Sequence, residues 1–326
     1  MTLRPRRPRR LYVPAVPPPR PLVLLGPTAG GKSALAVALA ERLGGEIVSA
    51  DAFQVYRHLD AGTAKPTPTE RARVPHHLVD EAEPTARFTV RDWLDRADAH
   101  VERLAAAGRV PVVVGGTNLY VRALLCGLMD GPDADPRFRA SLAGVPDAEL
   151  HARLGSVDPA AAARIAPADR QRLTRALEVF ALTGRPLSEQ QREWSAAVEP
   201  PFRHDPVLLG LRWEIPAINR RINARVKAMF DPGDGREGLV EETRRLEAAG
   251  LLGPQAREAI GTKQVLEEWA RPRPDPDAAR ERVKAKTRRF AKQQRTWLRR
   301  FGGVRWVEGD QPPAALLDAA LEAAAA

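Results

Sequence analysis

One octet constrains this chain more than any other feature. Gly26, Pro27, Thr28, Ala29, Gly30, Gly31, Lys32 and Ser33 spell G-x-x-x-x-G-K-[ST]. The apolar run Pro21 to Leu25 precedes it, and the Ala/Leu-rich stretch Ala34 to Leu43 follows. Strand, glycine-rich loop and helix in that order make a phosphate-binding loop. Glycines let backbone N–H groups converge on phosphate oxygens. The helix N-terminus adds partial positive charge and Lys32 a full one. The Ser33 hydroxyl can hold Mg2+. A glycine-rich turn with an exposed lysine is the alternative, and the flanking strand and helix weigh against it. The loop implies a pyrophosphate or triphosphate and leaves open which molecule carries it.

From about residue 21 to 128, short β-rich runs alternate with longer helical patterns. The strands are Leu22–Leu25, Glu46–Ser49 and Val110–Val114. The helices follow the loop, span Val90 to Ala107, and run from Thr117 through Leu125. This alternation predicts an α/β fold, a P-loop-like parallel sheet flanked by helices. Ligands in such sheets sit at the carboxyl ends of the strands. Gly26–Ser33, Ser49–Gln54 and Gly115–Tyr120 all lie there and should converge. Consecutive strands tend to be neighbours, which would end Glu46–Ser49 beside the loop.

The breaker cluster Gly131 to Pro136 then marks a change in composition. Arg137 to Trp194 reads as short Ala/Arg-rich helices, with Asp158 and Asp169 as starts. This predicts a small all-helical insertion domain, closed by Pro200 and Pro201. Val207–Leu211 returns to the core as a strand. Helices fill Ile215 to Leu252, interrupted by the loop Asp231–Gly238, and a last long helix spans Pro276 to Phe301. The expected layout is a disordered basic tail at 1–19, a core at 20–129 and 202–312, the insertion at 130–201 and a C-terminal tail at 313–326, whose Ala-rich end, Leu316 to Ala326, reads as a plain helix or a frayed tail.

With 326 residues the chain can bury one large core and a smaller one. A net charge of +10, carried almost entirely by arginine, favours an anionic partner such as nucleic acid. The single cysteine, Cys126, excludes an internal disulfide framework and reads as buried. No apolar stretch approaches the roughly 20 residues of a membrane span. The Arg/Pro-rich start lacks the apolar core of a secretory signal. A cytoplasmic protein is expected.

Asp51 directly follows a strand, where a carboxylate can accept a hydrogen bond from an incoming amine or hydroxyl and take its proton. A helix N-cap is the competing role. Thr63 and Lys65, in Gly62 to Pro66, suit phosphate oxygens. Gly115, Gly116 and Thr117 offer N–H groups and a hydroxyl, or simply a tight turn. His76 and His77 are adjacent, so they point apart and are not expected to share an ion. Between Arg280 and Arg300 there are ten Lys or Arg and one acidic residue, Glu281. Val283, Phe290 and Trp297 recur every seven residues, so one stripe packs inward and a one-sign face looks outward, suited to a phosphate backbone. Arg170, Arg172 and Arg175 form a second basic group.

These motifs, with Asp169 to Val179 and Arg288 to Arg299, occur in an order that resembles the tRNA dimethylallyltransferases, the tRNA isopentenyltransferases of bacteria, over roughly residues 20 to 310. The resemblance implies a P-loop NTPase-like fold whose loop holds dimethylallyl diphosphate with Mg2+ rather than ATP. It implies attack by N6 of adenosine 37, beside the tRNA anticodon, on the allylic carbon, with the base flipped out of its stack. Thr28 to Ser33 would contact the diphosphate, and Asp51, Ala52, Phe53 and Gln54 the target nucleoside. Thr117 would orient the reacting groups. Arg139, Gln171, Arg172, Leu173, Thr174 and Arg175 would contact tRNA, as would Lys292, Gln293, Gln294, Arg295, Thr296, Trp297, Leu298 and Arg299. Arg225 resembles a family arginine near the diphosphate, with Arg221 as the fallback. The catalytic set implied is Asp51, Thr117, Lys32 and Arg225. The partner implied is the tRNA anticodon stem-loop, met by a monomer.

Three departures stand out: Gly30 where Ser or another small residue is usual, a longer loop at Asp231–Gly238, and Thr262 in place of an aromatic Tyr. The rival readings are a small-molecule P-loop kinase, for which a clear second Mg2+ carboxylate is lacking, and an isopentenyltransferase acting on free AMP, which leaves the basic helix unexplained. A nucleotide-gated RNA-binding protein is the non-enzymatic reading.

Overall fold

The structure, a computed structural model, describes residues 17–129, 131–194, 198–233 and 235–326. Of the basic tail expected at 1–19, residues 1–16 lie outside the described residues. Six strands form the central sheet: β1 (Leu22–Leu25), β2 (Glu46–Ser49), β3 (His76–His77), β4 (Pro111–Val114), β5 (Val207–Arg212) and β6 (Arg305–Glu308). They pair in parallel in the order β3-β2-β4-β1-β5-β6. β2 is therefore not beside β1, contrary to the neighbour expectation. The chain steps out from β1 to β2 and the edge strand β3, and the next crossover returns β4 to the gap. Leu22 thus lies opposite Val112 on one side and Val207 on the other.

Parallel neighbours require long crossovers, and helices supply them. α1 (Lys32–Leu43) joins β1 to β2, α2 (Pro68–Arg73) precedes β3, and α3 (Val90–Ala106) leads to β4. α4 (Asn118–Cys126) leaves β4. The start of α3 is fixed by a capping box in which Thr89 and Asp92 satisfy each other's backbone N–H groups. Both sheet faces are covered, so the strands read as unbroken apolar runs. Alternate residues feed two cores. Val23, Leu25, Val48 and Val113 pack with Trp93, Val101 and Leu124. Leu22, Leu24, Ile47 and Val112 pack on the other face with Leu35, Leu39, Ile222 and Val283.

The insertion comprises α5 (Pro136–Ser141), α6 (Asp147–Val157), α7 (Pro159–Ala162), α8 (Arg170–Thr183) and α9 (Leu187–Trp194). Asp158 and Asp169 cap α7 and α8 through their carboxylates, as their positions suggested. This segment has its own core of Leu150, Leu154, Leu173, Ala176 and Val179. After β5 come α10 (Ile215–Phe230), α11 (Leu239–Ala248), α12 (Thr262–Trp269) and α13 (Pro276–Leu298). β6 carries one buried residue, Val307, so no apolar run announced it; pairing with β5 makes it a strand. Of the two readings of the C-terminal end, helix or frayed tail, the helix holds: α14 (Pro313–Ala325) buries Leu316 and Ala320 in the sheet core, so 313–326 belongs with the core and not with a separate tail. Cys126, expected buried, is exposed at the end of α4.

Candidate active site at the carboxyl ends of the strands

The phosphate loop turns tightly between β1 and α1. Ala29 and Gly31 both take left-handed backbone angles, φ 61° and 85°. A Cβ on Gly30 would lie 2.8 Å from the Pro27 carbonyl oxygen and 3.2 Å from Trp213 Nε1, so glycine suits the space here. Three groups hold the loop from outside. Trp213 Nε1 donates to Gly30 O (3.2 Å), Arg221 Nε to Ala29 O (2.8 Å), and Thr28 N donates to Gln294 Oε1 (2.7 Å). Lys32 Nζ donates to the carbonyls of Gly26 and Pro27, both at 2.9 Å. Burial and the nearby Arg225 guanidinium bring its pKa down to about 7, against an opposing pull from Asp51. Ser33 is exposed at the start of α1.

Asp51 sits just past β2, held by contacts to three elements. Trp93 of α3 donates to Ser49 O (2.8 Å), fixing the strand end. Gly115 at the end of β4 packs so closely that a Cβ there would be 2.1 Å from Ala50 O. Thr117 N donates to Ala50 O (3.1 Å), and Thr117 Oγ1 accepts from Ala52 N (3.0 Å). The carboxylate divides its work. Oδ1 accepts from Phe53 N (2.9 Å) and Gln54 N (3.3 Å), which is the capping role. Oδ2 has no protein hydrogen bond among the described residues and lies on the Gly116 side. The functional and capping readings of Asp51 are thus served by different oxygens. Thr117 acts on this turn rather than facing the phosphate loop.

Arg225 projects from α10 and is half-buried. Its Nη2 donates to Thr63 O at 3.4 Å, its Nε has no partner, and burial lowers its pKa. It lies where two clefts meet. One, about 520 Å3, is lined by Thr28 to Ser33, Ser49, Asp51, Gly115, Gly116 and Arg221. The other, about 560 Å3, runs between α13 and the Asp51 turn, lined by Phe53, Thr117, Trp297 and, from the insertion, Arg172. Thr28, Asp51, Arg225 and Phe290 border both. The convergence of the three loop motifs is therefore present. Phe290 and Gln294 joined it unforeseen: in sequence they look like two more residues of a helix whose signal is its charge.

Other expected contacts fall differently. Leu173 and Leu298 are core residues, and Gln294 is buried but borders the second cleft. Arg139 and Arg175 both pair with the buried Glu178, at 2.7 and 2.8 Å, which ties α5 to α8. Gln171, Arg172, Lys292, Gln293, Thr296 and Arg299 are exposed, while Thr174, Arg295 and Trp297 are half-buried. The Gln54 side chain is engaged by Ser49 and by the Thr63 and Ala64 carbonyls. The basic face of α13 is only half uncompensated. Arg280 pairs with Asp231 and Asp277, Arg282 with Glu268, and Lys284 with Glu281. Lys286, Arg289, Lys292, Arg299 and Arg300 are exposed without an ion-pair partner among the described residues.

Thr63 and Lys65 are not phosphate ligands here. Thr63 Oγ1 donates to Leu59 O (2.5 Å), and Lys65 Nζ is buried between Asp60 (2.7 Å) and Asp80 (2.6 Å). Glu242 of α11 is buried beneath the same loop and accepts from the N–H groups of Asp60, Ala61 and Gly62. His77 is turned to Glu46 (2.6 Å) and His76 to Val74 O (2.7 Å), so the two rings do not share a ligand. Mg2+ favours hard oxygen donors and uses few protein ligands when a substrate phosphate is present. The exposed Ser33 hydroxyl at the phosphate loop meets that requirement.

An all-parallel sheet with a phosphate loop at its centre, a carboxylate beside it and a helical insertion defines a P-loop-type α/β protein. A family model described as IPP transferase matches residues 54–301, and the chain belongs to that family. A tRNA dimethylallyltransferase of Geobacter sulfurreducens is 47% identical over 292 residues, covering 88% of this chain and 91% of that protein. One from Anaeromyxobacter dehalogenans is 46% identical over 301 residues, covering 91% and 97%. Among solved structures, the tRNA isopentenylpyrophosphate transferase of Bacillus halodurans is 33% identical with a TM-score of 0.67, covering 94% of this chain and 96% of that one.

Proposed function

We propose that this chain is a tRNA dimethylallyltransferase. It moves a dimethylallyl group from dimethylallyl diphosphate to N6 of adenosine 37, next to the tRNA anticodon, and releases pyrophosphate. The observation that carries this reading is the meeting of a phosphate-loop cleft with a second cleft, bordered by α13 and Arg172, at Asp51, Thr28 and Arg225.

The allylic diphosphate lies in the first cleft, its anionic end against the loop N–H groups and Lys32. The target base enters through the second. The allylic C–O bond breaks as the N6–C bond forms. The electron pair stays on the diphosphate oxygen, and the N6 proton passes to Asp51 Oδ2. The Ser33 hydroxyl would be the chain's ligand to Mg2+, which would supply charge neutralisation for the leaving group. Lys32, protonated once the diphosphate is bound, and Arg225 add positive charge beside the departing anion and stabilise it. Asp51 becomes a better acceptor as positive charge develops on nitrogen, so its contribution grows toward the transition state. Thr117 keeps the turn that carries Asp51 in place.

The test is mass spectrometry of nucleosides after the protein is incubated with unmodified tRNA, dimethylallyl diphosphate and Mg2+. N6-isopentenyladenosine confined to the anticodon-adjacent adenosine is expected. Phosphoryl transfer from ATP, or prenylation of AMP in preference to tRNA, would overturn the reading. We further expect the protein to act as a monomer in the cytoplasm; no helix among the described residues is long and apolar enough to cross a membrane.

A further inference from the structure

Gln294 lies on the same helix as the exposed cations Lys292 and Arg299, yet only 1% of its surface is exposed. Both ends of its amide are used. Oε1 accepts from Thr28 N at 2.7 Å, and Nε2 donates to Gly116 O at 2.8 Å. Thr28 belongs to the phosphate loop, and Gly116 to the turn after β4. A Cβ on Gly116 would stand 3.1 Å from Gln294 Nε2 and 3.6 Å from Asp51 Oδ2. Gln294 therefore spans the two halves of the reaction site, the loop that would hold the leaving group and the turn that packs on the acceptor carboxylate. Asn118 Nδ2 reaches the Gln294 backbone carbonyl at 3.5 Å, a further link between α4 and α13.

We propose that Gln294 is a positioning residue that sets the register between the diphosphate loop and the Asp51 side of the site. The inference rests on the transfer reaction proposed above. Displacement between an allylic carbon and an amine needs both partners in near-attack geometry, and small misplacements are costly. Loop and turn follow β1 and β4, whose ladder ends at Leu24 and Val114, so beyond those residues a side chain is what ties one segment to the other. An amide does this well because it offers a donor and an acceptor at once. Removing it leaves the Thr28 N–H and the Gly116 carbonyl without their partner. Binding of each substrate alone depends on other groups: the loop amides, Lys32 and Arg221 for the diphosphate, and the exposed cations of α13 for RNA.

The measurement is the single-turnover rate with both substrates saturating, alongside separate affinities for inorganic pyrophosphate and for an unmodified anticodon stem-loop. Saturation makes the rate independent of either affinity, and single-turnover conditions make it independent of the active fraction. Gln294→Met keeps the volume and removes both ties. We expect its rate to fall roughly ten- to a hundredfold, with each affinity changed less than about threefold. Gln294→Glu keeps an acceptor for Thr28 N–H and loses the donor; its rate should also fall. If Gln294→Met proves unstable, this second variant carries the test. A folded variant with the wild-type single-turnover rate would overturn the proposal. So would a loss confined to stem-loop affinity, which would make Gln294 an RNA contact. Failure of the wild-type protein to prenylate the stem-loop would instead remove the functional reading itself.

Discussion

In the proposed reaction, Asp51 and Lys32 each serve fold and chemistry with one side chain. Oδ1 of Asp51 caps the turn at Phe53 and Gln54, while Oδ2 is left for a substrate. Asn retains an oxygen for the cap and loses the basic site. Asp51→Asn should therefore melt within a degree or two of wild type, while kcat falls roughly 10²- to 10⁴-fold, the usual range for loss of a general base. Calorimetry and steady-state kinetics on one preparation check both halves. A fully active Asn variant would leave Asp51 with the cap alone. Lys32 carries a pH signature. Its folded pKa of about 7 lies below its ordinary 10.5. Between those values the unfolded chain holds a proton that the folded one lacks, so stability rises with pH across that window. The cost of burying the ammonium is fully present below pH 7 and is relieved toward pH 10.5. A bound diphosphate favours the ammonium, so binding at pH 8 should draw a proton onto Lys32. Titration calorimetry in buffers of different ionisation heat should show net uptake of up to about one proton in wild type relative to Lys32→Met. The difference should shrink by pH 6, where the lysine is already charged.

Among the elements, α13 is two helices in function. Its first half spends its charge on Asp277 and Glu281 of the same helix and on Asp231 and Glu268, and the last two bind it to the body. Its second half leaves Arg289, Lys292, Arg299 and Arg300 to solvent, together with Lys286 before them. If these five meet phosphates, log affinity for the stem-loop should fall with log salt at a slope of about −3.5 to −4.5. Lys292→Glu with Arg299→Glu should flatten that slope by about 1.4 to 1.8. Lys284→Gln, which removes only the partner of Glu281, should leave it unchanged. Filter binding across a salt series measures all three. An unaltered slope in the double variant would mean that this face is merely solvated. The charge run was plain in the sequence, but its division was not, because Asp231 comes from the loop after α10 and Glu268 from α12.

At the scale of the whole molecule, two sheet-face cores and a separate insertion core bear the structure. Glu178 ties the insertion together from inside. It accepts from Arg139, from Arg175 and from the Asp135 N–H, which together hold its pKa at about 2, below its ordinary 4.5 and against the opposing effect of burial. A depressed carboxylate contributes stability above its unfolded pKa and loses it as pH falls through the folded one. Amide exchange should therefore show the insertion helices losing protection between about pH 4.5 and 2 before the parallel sheet does. Glu178→Ala should weaken protection in α5 and α8 already at neutral pH, because two half-buried guanidinium groups lose their partner. Equal protection in wild type and variant would show the tie to be inert.

The phosphate loop, the carboxylate after β2, the glycine turn after β4 and the helical insertion were all legible from residues alone. Each is written in local chemistry: glycines where the backbone must turn, β-branched runs where both faces are buried, Asp where a helix begins. Local chemistry cannot say how strands order themselves. It placed β2 beside β1, whereas crossovers put β4 between them. It left out β3 and β6, whose short and polar segments become strands only by pairing with a neighbour. It left the C-terminal segment open between helix and frayed tail, and packing on the sheet core decides for the helix. It could not find the partners of Thr63 and Lys65 at Leu59, Asp60 and Asp80, or those of Gln294 at Thr28 and Gly116, since a side chain's partner depends on what folds against it. The sequence by itself determined the class of site, because binding phosphate demands particular residues at fixed spacing. Only the tertiary structure decided which oxygen of Asp51 is free, which cations are unpaired and which amide joins the two clefts, because those are contacts between segments far apart along the chain.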